Sequence, residues 1–226
     1  MFKTIIYLKK TGSTMTVAKH LLSMLEPPFI VIAESQIFGH GQRNRKWLSQ
    51  EGGLWFTEVF YTERILGLSL FISIPILRVL KKYNQEIKVK WPNDLYLNDK
   101  KIAGILTKTS RNIAFVGIGI NVENDIPDKA KKYAISLKEF GKMNKTKIFE
   151  EIKKEEERLF PVFSENGFAP FKSEYEDHLI FMNQNITVKS KSIIQGKVLG
   201  VTNLGELIIE TMSGIEKIVQ GTVLNF

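Results

Sequence analysis

Four stretches of this 226-residue chain set polar and charged groups beside small residues in patterns that suit ligand chemistry. The first is Gly39-His40-Gly41-Gln42-Arg43-Asn44-Arg45-Lys46-Trp47. Its glycines allow close backbone approach, its cations attract an anion, and Trp47 offers a flat stacking face. Backbone donors with cations suit phosphate, although the Gly-Lys-Ser/Thr ending of a P-loop is missing. A basic surface loop is the plainer reading. The second is Lys90-Trp91-Pro92-Asn93-Asp94. A lysine at a strand end beside a rigid Trp-Pro bond has a fixed direction, and Asn93 and Asp94 can orient it or hold a metal through water. A strand and turn with an aromatic plug explains the same residues. The third, Lys101-Ile102-Ala103-Gly104-Ile105-Leu106, carries two small residues that let a ligand or strand come close. The fourth, Gly117-Ile118-Gly119-Ile120-Asn121, clears one strand face and ends on a side chain that both donates and accepts. It lacks the third glycine and following helix of a dinucleotide fingerprint. Tight sheet packing accounts for the last two equally well.

These residues need elements to position them. Ser13 is a good N-cap, and Ala18, Leu21, Leu22 and Leu25 recur at helical spacing, so a helix is expected over 13–25. An apolar run over 29–33 predicts a buried strand. The polar stretch 34–53 has no periodicity and reads as a long functional or mobile loop. Strands are expected over 54–61, 87–90, 94–97, 101–107 and 112–121, with a hairpin turn at 98–100. Residues 65–83 fit a buried helix that Pro75 must kink or split. An amphipathic helix is expected over 146–163 and a short helical piece over 169–179. From about residue 181 the texture changes to short β-branched runs separated by glycines, which suggests a small barrel packed on the main domain.

Composition sets the outer limits. A hydrophobic share of 43% is enough for a buried core. No apolar run nears the roughly 20 residues that span a bilayer, and the opening residues turn polar too quickly for a signal peptide, so a cytoplasmic, membrane-free protein is expected. The absence of cysteine excludes disulfides, thiolate metal sites and cysteine nucleophiles. The net charge of +8 fits a solvated lysine-rich surface, a nucleic acid, or attraction to phosphorylated ligands or an acidic protein.

Taken in order, the motifs resemble the biotin–protein ligase family over essentially the whole chain. That family carries a Ser-Thr-Asn near its start, a Gly-Arg-Gly-Arg-x-x-Arg-x-Trp loop, Lys-Trp-Pro-Asn-Asp, Ala-Gly-Ile-Leu and Gly-Ile-Gly-Ile-Asn. Here they stand as Ser13-Thr14-Met15, residues 39–47, 90–94, 103–106 and 117–121, the last three unchanged. The resemblance implies an α+β fold. A mixed β-sheet backed by helices, the class II synthetase-like catalytic domain of biotin and lipoyl ligases, would occupy residues 1–180. A C-terminal SH3-like barrel would follow over 181–226. Some family members add an N-terminal helix-turn-helix repressor domain. The position of the first motif leads to the expectation of the short form without it, and no DNA partner is expected.

The resemblance also implies roles. Biotin, as substrate, would meet Ser13, Thr14, Met15, Gln36, Gly39, His40, Gly41, Gln42, Lys90, Gly104 and Gly117. ATP and the adenylate would meet Arg43, Arg45, Trp47, Asn93, Asp94, Lys101 and Asn121. Mg²⁺ would be carried mainly by the ATP phosphates, with Asp94 as a further ligand. Lys90, with Arg43 and Arg45, would be catalytic, offsetting charge as the biotin carboxylate attacks the α-phosphate. The implied partner is a biotin carboxyl carrier protein of acetyl-CoA carboxylase or a related biotin-dependent carboxylase. A homodimer is a further expectation.

Four positions depart from the family. Met15 replaces an asparagine amide, His40 and Gln42 replace two arginines, and Thr222 stands where glutamate is common. Loss of the second arginine predicts that activated biotin escapes more readily. Adenylate release should be faster from the wild type than from Gln42→Arg, and equal rates would sink the idea. A lipoate–protein ligase is the nearest alternative, but it predicts a Gly-Gly-Gly-rich loop that is not present. A biotin-binding regulator without transfer activity predicts binding without ATP–pyrophosphate exchange.

Overall fold

The computed structural model describes residues 2–225; Met1 and Phe226, the outer ends of the two expected domains, lie outside the described residues. The main sheet combines β1 (Thr4–Thr11), β2 (Phe29–His40), β3 (Lys46–Ser49), β4 (Leu54–Tyr61), β5 (Lys88–Lys90), β6 (Asp94–Leu97), β7 (Lys100–Ser110) and β8 (Ile113–Ile120). Its order is β1-β2-β4-β8-β7-β6-β5, with β3 hairpinned onto β2. The β1–β2 pair is parallel and the other pairs are antiparallel, so the sheet is mixed. Seven of the eight residues of β4 are buried, as suits a central strand covered on both faces.

One face of the sheet carries only the short helix α1 (Thr14–Leu21), which packs on β2, β4 and β8 through Met15, Ala18, Phe29, Val31, Val59 and Phe115. The other face is covered by α2 (Leu68–Lys81) and α3 (Lys145–Asn166) around the larger apolar core. Because α1 is short, part of its sheet face stays open, and that opening holds the cavity described below.

Several sequence expectations need correction. The stretch 34–53 is not a long loop: β2 runs on to His40, a 3₁₀ turn spans Gln42–Asn44, and β3 returns along β2. Its side chains are polar because this part of the sheet is half-exposed, which hides the strand period. The first helix stops at Leu21, and Ser13 occupies the N-cap without a side-chain capping bond. Helix α2 passes through Pro75 as one element. It is apolar all round, so burial offsets the hydrogen bond that proline cannot donate. Strand β1 had no sequence signal beyond a short alternating run, because it is a sheet edge with mostly exposed residues.

The strands expected over 54–61 and 94–97 fall at those bounds. The hairpin turn also forms, with Asn98 and Asp99 both in the left-handed region (φ 49° and 58°) that type I′ turns require. Residues 169–177 form a 3₁₀ turn and the helix α4 (Lys172–Asp177).

The chain ends in β9 (Asn185–Lys189), β10 (Ile193–Val201), β11 (Leu207–Thr211), β12 (Gly214–Ile218) and β13 (Thr222–Asn225). They form an antiparallel sheet of order β12-β11-β10-β9-β13. Its inner residues, among them Ile186, Val188, Val198, Val201, Leu207 and Ile209, join the main core. Polar contacts add to this junction. Trp91 Nε1 donates to Gly205 O at 2.9 Å, and Val201 N donates to Glu176 Oε1 at 2.8 Å. Among the described residues no helix is long and apolar enough to cross a membrane.

Candidate active site

A cavity of about 380 Å³ opens on the α1 face of the main sheet. Its floor is a polar network. Gln36 Oε1 accepts from Thr14 N at 2.8 Å and from Thr14 Oγ1 at 3.1 Å, while Gln36 Nε2 donates to Ser49 Oγ at 2.8 Å. The Thr14 and Thr57 hydroxyls lie 2.9 Å apart. Bonded at both ends of its amide, Gln36 has a fixed orientation. The start of α1, β2 and the central strand β4 therefore meet at one rigid, directional polar surface.

The glycines of β7 and β8 do clear one face of the sheet. Gly104 and Gly119 are register partners. A Cβ on Gly119 would lie 2.6 Å from Trp47 Nε1, and one on Gly104 would lie 3.0 Å from Trp47 Cζ3. The indole of Trp47 thus rests in a slot only glycines leave open, edge-on to Trp55 with ring centroids 6.3 Å apart. Its Nε1 is buried with no hydrogen-bond partner among the described residues. Gly117 makes similar room for Met15, whose Cε would lie 3.0 Å from a Cβ there.

Charge gathers at the other end of the cavity. Lys101 Nζ lies 4.8 Å from the Trp47 ring and 2.7 Å from Asp94 Oδ1. Asn93 donates through Nδ2 to Ile105 O and accepts from Ile105 N at 2.9 Å, which locks the turn after Trp91 onto β7. Lys90, half-buried at the end of β5, is the register partner of Asp94 and has its ammonium 5.0 Å from the Tyr96 ring. Burial lowers the pKa of Lys90; Asp94 opposes the shift, and Lys101 and Arg45 add to it. Tyr96 beside it is pushed up to about 12, chiefly by burial.

Ser13, Thr14, Met15, Gln36, His40, Gly41, Gln42, Arg45, Trp47, Asn93, Asp94, Lys101, Gly104 and Gly117 all line this one cavity. Four expected residues stand back from its wall. Gly39 serves the β2–β3 hairpin, where a Cβ would lie 2.6 Å from Trp47 O. Arg43 points to the C-terminal sheet and donates to Thr222 Oγ1 at 2.6 Å. Lys90 stands beside Asp94 as its register partner, on the same face of the sheet. Asn121 is buried, where it accepts from Asn124 Nδ2 at 3.1 Å and helps hold the segment that follows β8. The sequence reading gave Lys46 and Gly119 no ligand of their own, although both lay inside motifs already singled out, and it missed Thr57 and Tyr133 as lining residues. Thr57 is one polar residue in an apolar strand, and Tyr133 sits in an aperiodic segment anchored by Lys101 N donating to Tyr133 O at 2.8 Å; neither leaves a local signature.

Known proteins share this arrangement. Residues 7–125 match the Biotin/lipoate A/B protein ligase family, and residues 181–224 match the Biotin protein ligase C terminal domain. The chain belongs to the biotin/lipoate A/B protein ligase family. Among its relatives is the bifunctional ligase/repressor BirA of Bacillus subtilis (strain 168), 30% identical over 236 residues, covering 96% of this chain and 73% of the relative. BirA of Escherichia coli (strain K12) is 32% identical over 198 residues, covering 79% of this chain and 60% of the relative. The biotin protein ligase of Aquifex aeolicus, solved in complex with biotin and ATP, superposes with a TM-score of 0.89. It is 30% identical, with 98% of each chain covered. The family's fold, a helix-backed mixed sheet followed by a small antiparallel β-domain, is the fold of this chain.

The site also suits a nucleotide that brings its own Mg²⁺. Asp94 is the one carboxylate on the cavity wall. Among the described residues no cluster of three or more His, Cys, Asp or Glu side chains could hold an ion unaided. Mg²⁺ typically binds through one or two carboxylates plus substrate phosphates, keeping several waters. One carboxylate ringed by cations meets that requirement.

Proposed function

We propose that this chain is an ATP-dependent biotin–protein ligase of the cytoplasm. It forms biotinyl-5′-AMP from biotin and ATP and transfers biotin to a lysine of a biotin carboxyl carrier protein. The carrier would be that of acetyl-CoA carboxylase or a related biotin-dependent carboxylase. The observation that carries this reading is the convergence of four separated motifs, from β2, the β5–β6 turn, β7 and β8, on one cavity whose floor is polar and whose far end is cationic.

Each end suits one substrate. The fixed Thr14–Gln36–Ser49–Thr57 network supplies directional partners for a cyclic urea, with Ser13 buried beside it, while Met15 and Leu106 offer apolar contact to a ring and tail. His40, Gly41 and Gln42 close over the biotin from the β2–β3 hairpin, in which His40 pairs with Lys46 and Gly41 N donates to Arg45 O at 2.7 Å. At the other end Arg45, Lys46, Lys101 and, beside Asp94, Lys90 offset the charge of a carboxylate meeting a triphosphate. Trp47 offers a buried N–H and a ring face to the nucleotide. Asn93 holds the turn that aims Lys90 and Asp94. Mg²⁺ bound with ATP would screen the phosphates, held to the protein by Asp94. In the second step the same cations favour the neutral form of an incoming amine, since neighbouring positive charge lowers an amine's pKa.

The match of residues 181–224 to the Biotin protein ligase C terminal domain favours biotin over lipoate. Biotin-dependent exchange of pyrophosphate into ATP tests this directly. Exchange is expected with biotin and not with lipoate. Exchange driven by lipoate alone would move the chain to the lipoyl branch, and biotin binding without exchange would make it a regulator.

A further inference from the structure

Two consecutive apolar residues beside the cavity are turned to solvent. In the β2–β3 ladder Gln36 pairs with Ser49 and Gly39 with Trp47. Ile37 and Phe38 therefore oppose the single residue Leu48, which is a β-bulge. Bulges recur next to active sites, where they re-aim a side chain. Here the bulge leaves Ile37 47% and Phe38 62% exposed, although the strand is otherwise one of a packed sheet. The backbone of Phe38 is tied to the segment that leads into α1. Its backbone N donates to Gly12 O at 2.8 Å, and its Cδ2 would lie 3.6 Å from a Cβ on Gly12. Phe38 thus lies against the residue that leads into Ser13 and Thr14, and two residues from both Gln36 and His40, all of which line the cavity. Exposed lysines flank the pair: Lys9 and Lys10 on the neighbouring strand β1, and Lys46 at the start of β3.

We infer that Ile37 and Phe38 form a docking element for the carrier domain that delivers the acceptor lysine. The inference rests on the ligase reading. An acceptor lysine must enter the cavity, so the surface around it must seat on the rim, and Phe38 is an exposed aromatic on that rim. Such aromatics are enriched at interface centres. The surrounding lysines fit a carrier with acidic residues beside its acceptor lysine. The bulge shapes the rim and not the pocket, so it governs transfer and leaves adenylate formation untouched.

The test compares wild type, Phe38→Ser and Phe38→Tyr in two assays. One is biotin-dependent pyrophosphate exchange, and the other is transfer to a purified biotin carboxyl carrier domain. Phe38→Ser is expected to raise the KM for the carrier about tenfold, the loss typical of one aromatic anchor. Exchange should stay within about twofold of wild type, and Phe38→Tyr should keep the wild-type carrier KM. An unchanged carrier KM in Phe38→Ser would overturn the inference, whether or not the substitution alters self-association in sedimentation. A parallel fall in exchange would also overturn it, by placing the ring in the small-molecule site. Absence of exchange in the wild type would instead sink the ligase reading on which the inference stands.

Discussion

At the scale of the residue, the site works by fixing few groups firmly. Gln36 is bonded through both ends of its amide, Asn93 is tied to Ile105 in both directions, and Trp47 fills a slot that two glycines leave open. Lys90 stands beside Asp94 as a partly desolvated cation. The catalytic role proposed for it implies a pH signature. Burial, aided by Lys101 and Arg45, lowers its pKa beneath the ordinary 10.5. The cationic form is therefore lost at a lower pH than in a free lysine. In pyrophosphate exchange, kcat/KM for ATP should fall as pH rises through that lowered value. Tyr96, near 12, does not titrate in the same window. Lys90→Arg, which stays charged, should keep a flat alkaline limb at reduced activity. A wild-type limb unchanged up to pH 10.5 would contradict the assignment. Much of this was legible beforehand, because glycine spacing and a lysine at a strand end are local signals. The direction of Arg43 was not, since its partner Thr222 is 179 residues away in sequence.

At the scale of the element, the central strand β4 serves both faces of the sheet with adjacent residues. Thr57 faces the cavity, while Glu58 faces α3 and forms a buried ion-paired group with Lys153 and Glu156. Burial raises the pKa of Glu58, and the Lys153 ammonium opposes that rise. Removing the ammonium leaves two buried carboxylates without their cation. Lys153→Ala is expected to cost about 3–5 kcal/mol of stability, read by denaturant unfolding at pH 7. With the folded-state carboxyl pKa raised above its unfolded value, the loss should be smallest near pH 4. It should grow as pH rises through the range between the two values. A pH-independent loss would show that the lysine acts by packing alone. Neither Glu58 nor Lys153 stood out in the sequence. Glu58 sits in an apolar strand, and Lys153 is one of many lysines on an amphipathic helix. The edge strand β1 and the far half of β2 were hidden for a related reason. Half-exposed strands carry polar residues on both sides and lose the period-2 pattern, whereas β4, β6 and β8 kept their signal because tertiary burial and local sequence agree.

At the scale of the whole molecule, the open half of one sheet face, left uncovered by the short α1, becomes a cavity that collects residues from across the first 133 positions. The C-terminal sheet shares the main core and reaches the turn before Asp94 through Trp91, while Thr222 holds the loop residue Arg43. The change in texture near residue 181 announced this sheet, but its contacts with the site could not be read from spacing. The most direct measurement incubates the purified protein with ATP, Mg²⁺, biotin and a biotin carboxyl carrier domain, and reads the mass of the carrier. A biotinyl increment on one lysine that requires ATP, and whose rate falls on the order of 10²–10³-fold in Lys90→Ala, is the predicted result. No ATP-dependent increment, or transfer by Lys90→Ala at the wild-type rate, would contradict the account.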